Sequence, residues 1–156
     1  MPSSVTSRKP ARPVDPALVT AMVDAGQRMT RNRATVLEVL AAAARPLTAD
    51  EVARLAKAPL STAYRNLTEL CDAGVCVRVG GAGRTDRYEI SEQFTSHHHH
   101  HLICIECGSV TDFDPSSGLE KVINLELQLL ARQGFRPTHH VFDVQGVCAA
   151  CASLSE

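Results

Sequence analysis

The sequence predicts an α+β chain of two small domains: a helical unit closed by a β-hairpin, then a shorter α/β unit. Three observations predict it. Apolar residues recur at helical spacing from residue 16 to residue 74 and then alternate as in strands to residue 90. The charge balance reverses there: residues 1–90 carry 13 Lys/Arg against 9 Asp/Glu, net +4, and residues 91–156 carry 3 against 8, net −5. Beyond that point lie five consecutive histidines, His97 to His101, and two Cys-x-x-Cys pairs, Cys104/Cys107 and Cys148/Cys151. A chain of 156 residues holds one ordinary domain or two small ones. The expected boundaries are a flexible N-terminal arm over 1–15, a first domain over 16–91 and a second over 92–156.

The arm, with Ser3, Ser4, Ser7 and three prolines, has too little apolar surface to order itself. Leu18, Val19, Met22 and Val23 mark a first helix from Pro16 that Gly26 ends. Thr30 caps a second, whose buried stripe is Val36, Leu37, Val39 and Leu40, with Pro46 as its breaker. Thr48-Ala-Asp-Glu51 is a capping box opening a short third helix through Val52 and Leu55. Ser61 is expected to cap a fourth, with Ala63, Leu67 and Leu70 inward and Thr62, Tyr64, Arg65 and Thr68 outward. Val75, Val77 and Val79, the turn Gly80-Gly-Ala-Gly83, and Arg87-Tyr-Glu-Ile90 then read as a β-hairpin.

Helices followed by such a hairpin make a winged helix-turn-helix. The fourth helix would enter the major groove of double-stranded DNA, with Arg84 and Arg87 on the hairpin meeting phosphates. A helical bundle packed on a hairpin, with Tyr64 and Arg65 as plain surface residues, is the alternative reading.

The second half carries metal chemistry. A Cys-x-x-Cys turn directs two thiolates at one ion, and two such turns supply the four-sulfur shell of a structural Zn²⁺. A disulfide framework or a redox pair would fit a secreted chain or a βαβ context, neither of which the sequence signals. Cys71 reads as core, and Cys76 as either core or ligand. In an extended strand His97, His99 and His101 share one face and His98 and His100 the other, so one run can serve two sites. Histidine suits Zn²⁺, Fe²⁺, Ni²⁺ and Cu²⁺ alike. A solvated loop or an internal tag is the alternative.

Val110 to Phe113 reads as a strand, Gly118 to Gln133 as a helix, and His139 to Gln145 as a further strand. The helix shows Leu119, Val122, Ile123, Leu125, Leu127, Leu129 and Leu130, an apolar face too wide for one small sheet. That surplus predicts a homodimer, whose two-fold symmetry suits two DNA half-sites. No apolar stretch approaches the roughly 20 residues of a membrane span, so no membrane partner and a cytoplasmic location are expected.

Four ordered motifs resemble the ferric uptake regulator (Fur) family of metal-responsive repressors over residues 16 to 152. They are Gly26-Gln-Arg28-Met-Thr30-Arg-Asn-Arg33, Ser61-Thr-Ala-Tyr64-Arg65-Asn-Leu67, His97 through Leu102-Ile-Cys104-x-x-Cys107-Gly108, and His140 through Cys148-x-x-Cys151. The resemblance implies an N-terminal winged helix, a C-terminal dimerisation domain and a metal-loaded homodimer on an AT-rich palindromic operator.

It implies structural zinc at Cys104, Cys107, Cys148 and Cys151, and DNA contacts from Arg28, Arg33, Ser61, Thr62, Tyr64 and Arg65. It further implies a site of His98, His100, Glu120 and His140, and half of a hinge sensing site in His99 and His101. The other half departs from the family pattern. Arg45-Pro46 stands where many members have a histidine, and the stretch from Tyr88 to His97 is about three residues longer than usual and lacks cysteine. Glu89 and Cys76 are the candidate remaining ligands. With Cys76 the regulatory metal would be Zn²⁺, the reading slightly favoured here; without sulfur, Fe²⁺, Mn²⁺ or Ni²⁺ stay open. A peroxide sensor is a further branch of the same reading. The rivals are a metalloenzyme using Glu120 as acid/base, or a metal store or chaperone, and neither uses the DNA-reading half.

Overall fold

The structure, a computed structural model, describes residues 15–80, 85–95 and 98–154. Most of the arm, the hairpin turn at 81–84 with Arg84, and His97 lie outside the described residues. The first domain runs α1 (Pro16–Asp24), α2 (Arg31–Ala42), β1 (Leu47–Thr48), α3 (Ala49–Ala56), α4 (Leu60–Asp72), β2 (Cys76–Val79) and β3 (Arg87–Ile90). A 3₁₀ turn over Glu92–Phe94 leads to β4 (His100–Cys104), β5 (Val110–Phe113), α5 (Ser117–Arg132), β6 (Asp143–Gly146) and α6 (Ala149–Ala152).

The caps explain where the first helices begin. Asp15 accepts from the Ala17 N–H at 2.8 Å, and Thr30 caps α2 through the Arg33 N–H. The capping box is complete: Thr48 Oγ1 accepts from the Glu51 N–H at 3.2 Å, and Glu51 Oε2 accepts from the Thr48 N–H at 2.8 Å. Ser61 does not cap α4, however. That helix starts two residues earlier, with Pro59 at the cap position and no side-chain cap, because proline fixes the entering backbone dihedral itself.

Leu67, Leu70, Ala63 and Val52 are fully buried and pack with Met22, Val36 and Leu37 into one core beneath the wing sheet. The sheet has order β1-β3-β2 and is antiparallel throughout, with Leu47 opposite Tyr88 and Cys76 opposite Ile90. The two-residue β1 was not legible as a strand; it adds a third strand to the predicted hairpin.

The second sheet has order β5-β4-β6. β4 pairs antiparallel with β5, His101 facing Asp112, and parallel with β6, Cys104 facing Gly146. The last strand begins at Asp143, later than its alternation suggested. Its core is thin: the buried residues are Cys104, Val110, His100 and His101. α5 buries no residue, and Val122, Leu125, Leu129 and Leu130 stand exposed on it; Val141, Phe142 and Val144 are exposed as well. Among the described residues no helix is long and apolar enough to cross a membrane.

Candidate metal centres and nucleic-acid interface

The Cys-x-x-Cys turn between β4 and β5 and the start of α6 bring Cys104, Cys107, Cys148 and Cys151 together. Gly108 adopts φ 69°, so the chain turns back after Cys107 as a side chain with a Cβ would resist. The Cys107 and Cys148 sulfurs lie 3.8 Å apart. That equals the roughly 3.8 Å edge of a tetrahedron built on Zn–S bonds of about 2.3 Å. All six cysteines are free thiols.

The thiols are electrostatically unequal. Backbone N–H groups of Cys107 and Cys148 draw Cys104 down to about 6, whereas the neighbouring Cys148 and Cys107 sulfurs push Cys151 up to about 12. Four thiolates so close repel one another unless a dication shares their charge, so the donor set fits Zn²⁺.

β4 splits the histidine run between two further groups, as the strand period requires. On one face His98, His100, Glu120 and His140 gather, with His98 Nε2 3.1 Å from His140 Nε2 and His100 Nε2 3.1 Å from Glu120 Oε1. His100 is buried between Phe113 and Phe142, with ring centroids 5.6 and 5.5 Å away. Burial and then the charge of His98 lower the His140 pKa, which keeps a lone pair free.

On the other face lie Glu89, His99, His101 and Asp112. Glu89 comes from the wing strand β3, His101 and Asp112 from the C-terminal sheet and His99 from the residue leading into it, so this group spans the two domains. His99 Nε2 and His101 Nε2 each sit 3.2 Å from a different Glu89 oxygen, and His101 Nδ1 is 3.1 Å from Asp143 Oδ1. That outer carboxylate fixes the tautomer that turns Nε2 toward the group. His101 Nε2 and Asp112 Oδ1 are buried 4.0 Å apart with no satisfied hydrogen bond. Glu89 Oε1 lies 3.2 Å from that nitrogen, but with the ring proton turned to Asp143 the Nε2 presents a lone pair and has nothing to donate. Two buried polar atoms so close without a hydrogen bond suit a shared cation, and the donors, two imidazoles and two carboxylates, fit a first-row divalent ion.

Asp112 was missed in the sequence: its alternation with Thr111 in the strand Val110-Thr-Asp-Phe113 was readable, but its place opposite His101 comes only from the strand pairing. Cys76, the rival to Glu89, is 2 % exposed within the first domain's core and belongs to none of these groups. Burial pushes its thiol far up, which opposes the thiolate a metal needs.

The proposed DNA face divides similarly. Tyr64, Arg65, Ser61 and Arg28 are exposed and Thr62 is half-buried, so the α4 face is open. Arg33 is not. It is 8 % exposed, paired with Glu69 through Nε at 2.9 Å and bonded to the Arg28 carbonyl, because its position on α2 faces α4 rather than solvent. Arg87 is also tied down, Nε donating to the Gly108 carbonyl at 3.2 Å and Nη1 lying 3.4 Å from Glu51 Oε2. Neither guanidinium is free to meet a phosphate in this arrangement.

The profile of the ferric uptake regulator family matches residues 24–145. The ferric uptake regulation protein of Escherichia coli K12 is 32% identical over 136 residues, covering 83% of this chain and 87% of that protein. The peroxide-responsive repressor PerR of Staphylococcus aureus is 30% identical over 141 residues, covering 85% and 88%. The crystal structure of the Vibrio cholerae ferric uptake regulator superposes with TM-score 0.64 at 30% identity, covering 83% of this chain and 98% of that one. Motifs, fold and these likenesses agree: the chain belongs to the ferric uptake regulator family, whose members are transcriptional regulators and not enzymes.

Proposed function

We propose that the chain is a metal-dependent repressor that binds an AT-rich palindromic operator as a homodimer. The single observation that carries this reading is the membership of Glu89, a wing residue, in a group completed by His99, His101 and Asp112 of the other domain. A divalent cation supplies the charge that lets Glu89 and Asp112 approach one point. Glu89 then fixes β3, and with it the wing and α4, relative to the C-terminal sheet, so Tyr64 and Arg65 are held at a defined spacing across the dimer. Apo protein lets Glu89 part from His99 and His101, and the two α4 helices lose that spacing. The exposed α5 surface of Val122, Leu125 and Leu129 supports the homodimer, since a face this apolar on a small domain calls for a partner.

The sulfur-free donor set weakens the zinc preference. Two carboxylates and two imidazoles suit Fe²⁺ or Mn²⁺, and we assign sensing to that pair, with Zn²⁺ kept for the four cysteines. The test is fluorescence-anisotropy binding to an AT-rich palindromic duplex at fixed salt, under anaerobic conditions, with protein retaining its structural zinc. Fe²⁺ or Mn²⁺ at low free concentration should tighten binding, and Asp112→Ala should abolish the effect while leaving a folded dimer. Tightening by Zn²⁺ alone, or unchanged metal dependence in Asp112→Ala, would refute the assignment.

A further inference from the structure

Glu92 stands in the 3₁₀ turn between β3 and β4, inside the stretch where this chain departs from the family pattern. Its two carboxylate oxygens face two different groups. Oε2 lies 2.7 Å from His98 Nδ1, and His98 Nε2 points at His140 in the group completed by Glu120. Oε1 accepts from the His99 backbone N–H at 3.1 Å and sits 3.8 Å from His99 Nδ1, while His99 Nε2 meets Glu89. One side chain therefore holds one ligand of each group, from the ring nitrogen opposite the metal-facing one at His98 and through the main chain at His99.

We propose that Glu92 is a positioning residue that couples the two histidine groups, so that a divalent cation at either raises the affinity of the other. The reasoning follows from outer-shell chemistry. A cation on His98 Nε2 withdraws electron density from the imidazole and makes Nδ1–H a stronger donor, which pins Glu92 Oε2. The carboxylate is rigid and planar, so pinning one oxygen fixes the other and with it the His99 amide. The second group then binds with one of its histidines already ordered, and linkage makes the benefit mutual. The inference rests on the reading that both groups bind metal.

The test is titration with Co²⁺, competed against a fluorescent chelator, in full-length protein retaining structural zinc. His140→Ala leaves the interdomain group alone, Asp112→Ala leaves the His98/His100 group alone, and unaltered protein reports the pair. The coupling factor is the product of the two stepwise constants over the product of the single-site constants. An outer-shell carboxylate commonly changes affinity 10-fold or more, so a factor of about 10 is expected. Glu92→Gln keeps one acceptor and can hold only one of the two histidines, so the factor should fall to about 1 while both single sites still bind. Glu92→Ala should do the same with weaker single sites. A factor unchanged by Glu92→Gln, or already near 1 in unaltered protein, would overturn the coupling but leave the two sites standing. Failure of Co²⁺ to bind either group would overturn the coupling and the proposed function together.

Discussion

The Nε of Arg87, on the wing, donates to the carbonyl of Gly108, the residue following Cys107, at 3.2 Å. The wing is thereby fastened to the four-cysteine knuckle as well as to Glu51 and the Pro46 carbonyl. Arg87→Ala should lower stability by about 1–2 kcal/mol, the worth of charged hydrogen bonds that are half-screened. Amide hydrogen exchange should quicken at residues 87–90 and 108–109. Protection unchanged at 108–109 would show that the fastening carries no weight.

If the four cysteines hold zinc as proposed, Cys104→Ser or Cys148→Ser should lose it and melt the C-terminal half, because metal binding there would be folding free energy. Metal content by mass spectrometry and loss of far-UV ellipticity below the first domain's own transition are the readouts. The small buried core of that half leaves little else to hold it.

Arg33 and Arg65 should part company. Arg33→Ala strips Glu69 of its buried partner and should cost about 2 kcal/mol of stability, discounted from the fully buried case because Glu69 is 30% exposed. Arg65→Ala should leave the melting temperature unchanged and weaken operator binding by about 1–3 kcal/mol. Calorimetry and anisotropy on the same two variants decide the matter.

Acid should act through Glu51. The Arg45 guanidinium holds its carboxyl down at about 2 against an ordinary 4.5. A depressed folded value stabilises above the unfolded pKa and is lost as pH falls through the folded one, so this contribution fades between about pH 4.5 and pH 2. Glu51→Gln should flatten that limb of the stability curve, and an equally steep acid limb would contradict it.

Val122→Asp, placed on the exposed face of α5, should give a monomer by analytical ultracentrifugation with its zinc intact. Persistence of a dimer would send the search for the interface elsewhere.

Much of this was legible because local rules sufficed. The Thr48/Glu51 capping box, the Leu67 and Leu70 stripe and the alternation of His98 to His101 each depend on neighbours in sequence. What escaped depended on pairing across the fold. Asp112 joins the His99/His101 group only because β5 sets it opposite His101, and Arg33 reads as a DNA contact until α4 brings Glu69 against it. Cys76 and Glu89 were both candidates while the strand pairing was unknown, Cys76 as readily core as ligand. The pairing of Cys76 with Ile90 sends the thiol into the core and the adjacent Glu89 to the cleft with His99 and His101.

Parity along β4 and the two residues leading into it is counted from Cys104, which the knuckle anchors: His98 and His100 lie an even number of residues before it, His99 and His101 an odd number. Because the run is a homopolymer, gaining or losing one histidine codon leaves the same residue at each of those four counts. Only the tether to Glu92 changes length. An added residue between His101 and Cys104 is less well tolerated, for it moves the whole run one count away and leaves the count of three, now held by His101, without a histidine. Repetition thus protects the ligand set against the gain or loss of one residue within the run.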